Sequence, residues 1–132
     1  MKRLFTSFVL LVVFTTLLNL CSFAEELENA KAVLIKNMPS LTGEGAVITG
    51  PISIEEIEKK SLEEISECQS CPQVPFGYDN DRWLDFKSHY ELGDVILYFS
   101  TSNNSWEGLY GREGYALVRA EAVIDMIITK MN

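Results

Sequence analysis

Cys68 and Cys71, in a C-x-x-C arrangement, have the most evident chemical potential in the chain. This spacing occurs in redox couples, in halves of metal sites and in small disulfide loops. A redox cysteine reacts as a thiolate, which a helix N-terminus or nearby cations stabilise. Here Cys68 follows a predicted helix and has Glu64 and Glu67 beside it, so both the helix dipole and the local charge disfavour a thiolate. A structural disulfide that clips the helix to the sheet is the preferred interpretation, and redox activity and metal binding are the alternatives.

Other residues with catalytic or ligating side chains do not form a known constellation. His89 is the only histidine, whereas a structural zinc site takes about four cysteine or histidine ligands. Ser88 precedes His89 directly, and adjacent residues do not face each other as a catalytic triad requires. Asp79, Asp81 and Asp85 lack the glycine and the closing glutamate of a calcium-binding EF-hand loop. We therefore predict a protein that is not an enzyme and that uses neither a metal nor a cofactor.

One glycine-rich segment, Ser105 to Arg119, contains the side chains best suited to contact another protein. Those predicted contact residues are Trp106, Tyr110, Arg112 and Tyr115. Trp, Tyr and Arg dominate interface energies because each combines a large area with a polar group. The structural alternative is that Trp106 packs over a sheet edge while Arg112 pairs with Glu107 or Glu113.

The N-terminal residues predict export. A basic start, Met1–Arg3, precedes an apolar run and then small residues up to Ala24, followed by acidic Glu25. This order is typical of a secretory signal peptide, here residues 1–24, cleaved after Ala24. The product would be a single domain, residues 25–132, that is periplasmic or secreted.

Two alternatives to cleavage are less well supported by the residues. A membrane anchor needs ~20 apolar residues, and this run is shorter and interrupted by polar residues. Lipid attachment at Cys21 would give an envelope lipoprotein, but Leu20 precedes the cysteine where small residues are usual in such signals. Without Cys21, the domain keeps an even pair of cysteines, as suits an oxidising compartment.

The charge of the chain restricts its partners. The net charge is −8, and the predicted leader carries Lys2 and Arg3 but no acidic residue, so its removal gives −10. A protein this acidic repels phosphate backbones and anionic lipid surfaces, which disfavours nucleic-acid and membrane binding. A protein partner, especially a basic one, is favoured, although the same charge also keeps a small domain in solution.

The order of predicted elements indicates the fold class. Helical patterns cover residues 25–37 and the residues after Ser53, where Ser53 and Glu56 form a capping box. A second such box at Ser61 leaves open whether this segment is one helix or two. Asp79 or Asp81 could cap a brief helical turn that contains Trp83, Leu84 and Phe86.

Strand patterns follow the helices. They cover residues 95–100, 115–119 and 123–129, with a short additional strand within 46–49 and a tight connection at Ala120–Glu121. The sequence therefore predicts an α+β domain whose N-terminal helices pack on one face of a small three- to four-stranded antiparallel sheet.

The C-terminal half also resembles a group of known proteins. The residues "GD-ILYF", "SW--L-GREGYALVR" and "VI---IT-MN" are similar to those of small exported bacterial proteins without an assigned function. The resemblance covers about Trp83 to Asn132 and implies an antiparallel C-terminal sheet. It implies no catalytic residues. The acidic surface, the small size and a rigid fold closed by a disulfide lead us to expect a binding module of the inhibitor or immunity type.

Overall fold

The computed structural model describes residues 2–132, with side chains at residues 12, 13 and 15–132. The predicted leader residue Met1 and the side chains of residues 2–11 and 14 lie outside what the structure describes. The helices are α1 (Lys2–Asn37), α2 (Ile54–Ile65), α3 (Asn80–Ser88) and α4 (Asn103–Glu107), and the strands are β1 (Val47–Thr49), β2 (Val95–Ser100), β3 (Arg112–Arg119) and β4 (Ala122–Met131). Short 3-10 turns lie at Pro39–Leu41 and Gly77–Asp79.

The four strands form one antiparallel sheet in the order β1-β2-β3-β4. Strand β2 is internal, as its two apolar faces predict. Strands β3 and β4 form the expected hairpin, in which Arg119 pairs with Ala122. The α+β class, with helices preceding most of the sheet, is confirmed.

The helices cover both faces of the sheet, so the prediction that they pack on one face is wrong. Helix α1 packs on one face, whereas α2 and α3 pack on the other. The α1-side core contains Ala30, Val33, Leu34, Leu41, Leu97, Phe99, Ala116 and Val118. The opposite core contains Ile57, Trp83, Phe86, Ile96, Tyr115, Leu117 and Ile127. Apolar side chains on both faces of β2 and β3 require this double cover, because either face left in water would expose a large apolar area.

Helix α1 is divided into an exposed and a packed part. The described side chains of residues 12–26 are all exposed, and the first to pack against the core is Leu27. From there Ala30, Val33 and Leu34 recur on one face, as the spacing predicts, and the helix ends at Asn37, before Pro39. Within the part of the chain that the structure describes, no helix is long and apolar enough to cross a membrane.

Helix α2 begins with the predicted capping box. The Glu56 amide donates to Ser53 Oγ at 3.2 Å, and the Ser53 amide donates to Glu56 Oε2 at 2.9 Å. The helix continues without a break through Ser61, so the second capping box is not formed. Ser61 instead faces inward while Leu62 is exposed, because the buried positions follow a helical spacing from Ile54 through Ile57.

Helix α3 delivers two aromatic side chains to the core. Trp83 and Phe86 are fully buried and stack with ring centroids 5.5 Å apart, whereas Leu84 lies on the exposed side. Asp79 occupies the N-cap position but its side chain makes no capping hydrogen bond. Neither Asp79 nor Asp81, which lies inside the helix, acts as the predicted side-chain cap.

Candidate protein-binding surface

The predicted contact residues lie around the connection between β2 and β3, residues 101–111, which we call the contact turn. The sequence predicts an irregular loop here, but the structure contains the short helix α4. Thr101, Ser102 and Ser105 are buried despite being polar. The Ser102 amide donates to the Ser40 carbonyl, and the Arg112 amide donates to Thr101 Oγ1 at 2.9 Å. Because its buried polar groups are paired, the contact turn is held in a defined conformation.

Trp106 anchors the contact turn. Its side chain is half-buried, and its Nε1 donates to Ser100 Oγ at 3.3 Å. The ring lies so close to Gly111 that a Cβ there would come within 2.3 Å of it. The Lys130 ammonium lies 5.5 Å from the ring centroid, in cation–π range. Trp106 therefore packs against the end of the sheet, as the structural alternative predicts, while part of it stays accessible.

Leu109 and Tyr110 form the exposed tip of the contact turn. Leu109 is 74% exposed and Tyr110 is 58% exposed. Leu109 has a φ of 63°, a left-handed conformation that is costly for a branched side chain. The Tyr110 amide donates to the Ser105 carbonyl at 3.0 Å, which holds the tip against α4. The sequence pattern did not single out Leu109, because only the turn geometry places it outward.

Arg112 is exposed beside this tip and opposite Met131 in the sheet. Among the described side chains it enters no ion pair, so the expected pairing with Glu107 or Glu113 is not formed. Its guanidinium is thus available to an external acceptor.

Tyr115 is not a surface contact residue, which corrects the prediction. It is 5% exposed and lies in the core beneath α2 and α3. Its ring makes edge-to-face contacts with Tyr98 at 5.8 Å and Phe76 at 6.4 Å between centroids. Strand alternation alone would have predicted the burial of Tyr115, since it lies on the same face of β3 as the buried Leu117.

Tyr98 packs against the core beneath α2 and α3 and was not predicted as part of a site. Burial, together with the nearby carboxylates of Glu113 and Glu64, raises the pKa of Tyr98 to about 12. The Lys60 ammonium lies 5.1 Å from the Tyr98 ring centroid. The phenol is therefore a neutral hydrogen-bonding group at ordinary pH.

A groove runs along strand β4. Its volume is about 490 Å³, and it lies between β4 on one side and α2 with the start of α3 on the other. The residues that line it are Ser61, Glu64, Ile65, Phe76, Asp79, Arg82, Met126, Ile127, Ile128, Thr129 and Met131. Met131, one of these lining residues, pairs in the sheet with Arg112, which directly follows the contact turn.

Asp85, His89 and Asp125 bring three potential metal ligands within 4.8 Å of one another. Arg82 already occupies both carboxylates: its Nη1 lies 3.1 Å from Asp85 Oδ2 and 3.0 Å from Asp125 Oδ2. The hydrogen bonds from Arg82 and His89 outweigh burial and hold the pKa of Asp125 below its usual value. The cluster is therefore explained as an ion-pair clamp that ties α3 to β4.

Cys68 and Cys71 are disulfide-bonded, which confirms the predicted pairing. The Cys68 amide donates to the Ile65 carbonyl at 2.9 Å, so the bond lies at the C-terminal end of α2. Gln73 Nε2 donates to the carbonyl oxygens of both cysteines. The disulfide thus closes part of the α2–α3 connection, and does not link a helix to the sheet as expected.

No family model, curated protein or solved structure matches this chain.

Proposed function

We propose that this chain is an exported protein-binding module of the inhibitor or immunity type that acts without catalysis. The observation that carries the proposal is the contact turn together with the adjoining Arg112. Leu109, Tyr110 and Arg112 are exposed on a hydrogen-bonded frame, and Arg112 enters no ion pair among the described side chains. An arginine and an aromatic residue on a pre-ordered turn lose little conformational entropy on binding. This combination favours recognition of a protein surface.

The division of α1 supports export. Apolar residues before the predicted cleavage position are exposed, among them Leu17, Leu20 and Phe23, whereas core packing begins at Leu27. Removal of residues 1–24 would therefore take away exposed apolar area and leave the described core contacts intact. A disulfide at Cys68–Cys71 is also compatible with an oxidising compartment.

The overall charge supports a basic protein as the partner. The net charge of −8 would draw a basic protein to the surface, and Arg112 would then pair with an acidic residue at the contact itself. Long-range attraction raises the rate of encounter, and the local pair sets orientation. The negative net charge also disfavours nucleic acid and anionic membranes as partners, because both are negatively charged.

Affinity capture from envelope extracts, with mass spectrometry of the captured proteins, tests the binding surface. The variant Leu109→Ala/Tyr110→Ala removes the exposed tip of the turn. Its matched control is Tyr78→Ala/Leu92→Ala, which removes an exposed tyrosine and leucine far along the chain. We expect the control to capture the wild-type partner and the tip variant to lose it. Equal capture by both variants would contradict the assignment.

The N-terminus of the native protein tests export. Intact mass measurement should give a chain that begins at Glu25, with one disulfide and no acyl group. A lipid-modified Cys21 at the N-terminus would instead identify an envelope lipoprotein, and an uncleaved chain would refute the leader assignment.

A further inference from the structure

Strand β4 is a free edge of the sheet. It runs over Ala122–Met131 and, within residues 2–132, pairs only with β3, so alternate backbone groups face away from the sheet. At Met126 these groups are capped: its amide donates to Asp125 Oδ1 at 2.7 Å, and its carbonyl accepts from Arg82 Nη2 at 2.6 Å. By strand alternation the next outward residue is Ile128, and among the described residues no side chain caps its backbone.

The uncapped part of this edge borders the groove. Met131 contributes exposed apolar area from the strand, where Ile127 is buried, while Ile65 and Phe76 contribute it from the helical side. A strand laid against β4 would therefore find backbone partners on one side and an apolar floor for alternate side chains. The hydrogen bonds that Arg82 and Asp125 make to the backbone of Met126 limit such pairing to the C-terminal half of β4.

Two carboxylates on the helical wall lack close partners. Asp79 is exposed and enters no ion pair among the described side chains, and Glu64 has only Lys60 at 3.9 Å. Arg82 also lines the groove, but its guanidinium is engaged by Asp85 and Asp125. The net charge of the wall is therefore complementary to a basic side chain.

We infer that the groove binds an extended, lysine- or arginine-containing segment of a partner protein, which adds as a strand to the free edge of β4. This binding mode rests on the proposed function and specifies the chemistry of the partner. The backbone of β4 would supply affinity, and Glu64 and Asp79 would select a basic residue. Arg112 and the tip of the contact turn would lie at the end of the bound segment.

Synthetic peptides test this mode by calorimetry and by hydrogen exchange. One peptide alternates lysine with valine and threonine, a second has glutamate in place of every lysine, and a third is the lysine peptide with N-methylated backbone amides. We expect the first to bind and to slow amide exchange in residues 127–131. We expect the other two to show no binding, because one has the wrong charge and the other cannot pair as a strand.

Charge variants test the selecting carboxylates. Glu64→Gln/Asp79→Asn should weaken binding of the lysine peptide about tenfold. The control Glu63→Gln/Asp81→Asn changes the net charge equally at neighbouring positions outside the groove lining, and should change affinity less than about twofold. Equal weakening by both pairs would overturn the assignment of these carboxylates.

A backbone variant tests strand addition from the protein side. Ile128→Pro removes an outward-facing amide without removing a ladder hydrogen bond, and should abolish peptide binding in a variant whose near-UV circular dichroism is native. If it unfolds the domain, the N-methylated peptide still decides the question, and binding of that peptide would refute strand addition. A dimer that Ile128→Pro dissociates would show that a second copy occupies the edge, which also overturns the inference.

The two proposals fail separately. Loss of capture in the Leu109→Ala/Tyr110→Ala variant, combined with no peptide binding in the groove, would retain the contact turn and refute the strand-addition mode. Peptide binding in the groove with normal capture by the tip variant would retain the groove and refute the contact turn.

Discussion

Ser61→Ala should destabilise the domain because it removes the only described partner of a loop amide. Ser61 is 6% exposed, and its Oγ accepts a hydrogen bond from the Phe76 amide at 2.6 Å. Phe76 has a φ of 63° and packs its ring 4.9 Å from that of Trp83. The bond therefore holds the α2–α3 connection, in a left-handed conformation, against the core and the groove.

The loss of unfolding free energy expected for Ser61→Ala follows from two opposing effects. Leaving this partly buried amide without a partner costs at most the ~1–3 kcal/mol of a fully buried group, and alanine is favoured over serine inside a helix by about 0.5 kcal/mol. The free energy of unfolding should thus fall by about 0.5–2.5 kcal/mol, which corresponds to a midpoint about 2–13 °C lower for a domain of this size.

The assay is urea unfolding of the protein without residues 1–24, followed by circular dichroism. Ser66→Ala is the matched control, since Ser66 is exposed and donates only to the Glu63 carbonyl within its own turn. It should change the unfolding free energy by less than about 0.5 kcal/mol. A Ser61→Ala variant as stable as this control would show that the loop amide needs no protein partner and would refute the reasoning.

Three further predictions concern other parts of the fold. The hydrogen bond from Arg119 lowers the pKa of Asp94, against the opposing effect of burial. The ionised Asp94 therefore stabilises the fold fully above the pKa of the unfolded chain, near 3.8, and this stabilisation is lost as the pH falls through the lower pKa of the folded state. Acid unfolding of Asp94→Asn should be less steep than that of the wild type. The Cys68–Cys71 disulfide should have a reduction potential below about −300 mV, as structural bonds do, and a value near that of dedicated oxidants would support the redox alternative. Gly111→Ala should displace the Trp106 ring, since the added Cβ would lie 2.3 Å from it, and a tryptophan emission spectrum identical to that of the wild type would contradict this.

Local patterns were sufficient for several elements. The capping box at Ser53 and Glu56 formed as predicted because both partners lie within one turn and the bonds depend on local geometry alone. The strand over residues 95–100 was also predicted correctly, since β-branched and aromatic residues on both faces require burial between layers. The disulfide followed from spacing.

The errors share a physical cause. Ser61 has the same local signature as Ser53, yet it bonds to Phe76, which is distant in sequence and became its partner only through folding. The short helix α4 was missed because its buried serines look like loop residues until Ser40 supplies a backbone partner from another element. Neither interaction leaves a signal in a local window.

The sequence by itself determined the α+β class, the main helix and strand positions and the disulfide, because periodicity, capping and chain distance are local properties. Only the tertiary structure decided that helices cover both faces of the sheet, that Tyr115 is buried, and that Arg112 has no ion-pair partner among the side chains that the structure describes. It also placed the free edge of β4 beside Glu64 and Asp79. Burial and pairing depend on which elements meet, and those contacts join residues that are far apart along the chain.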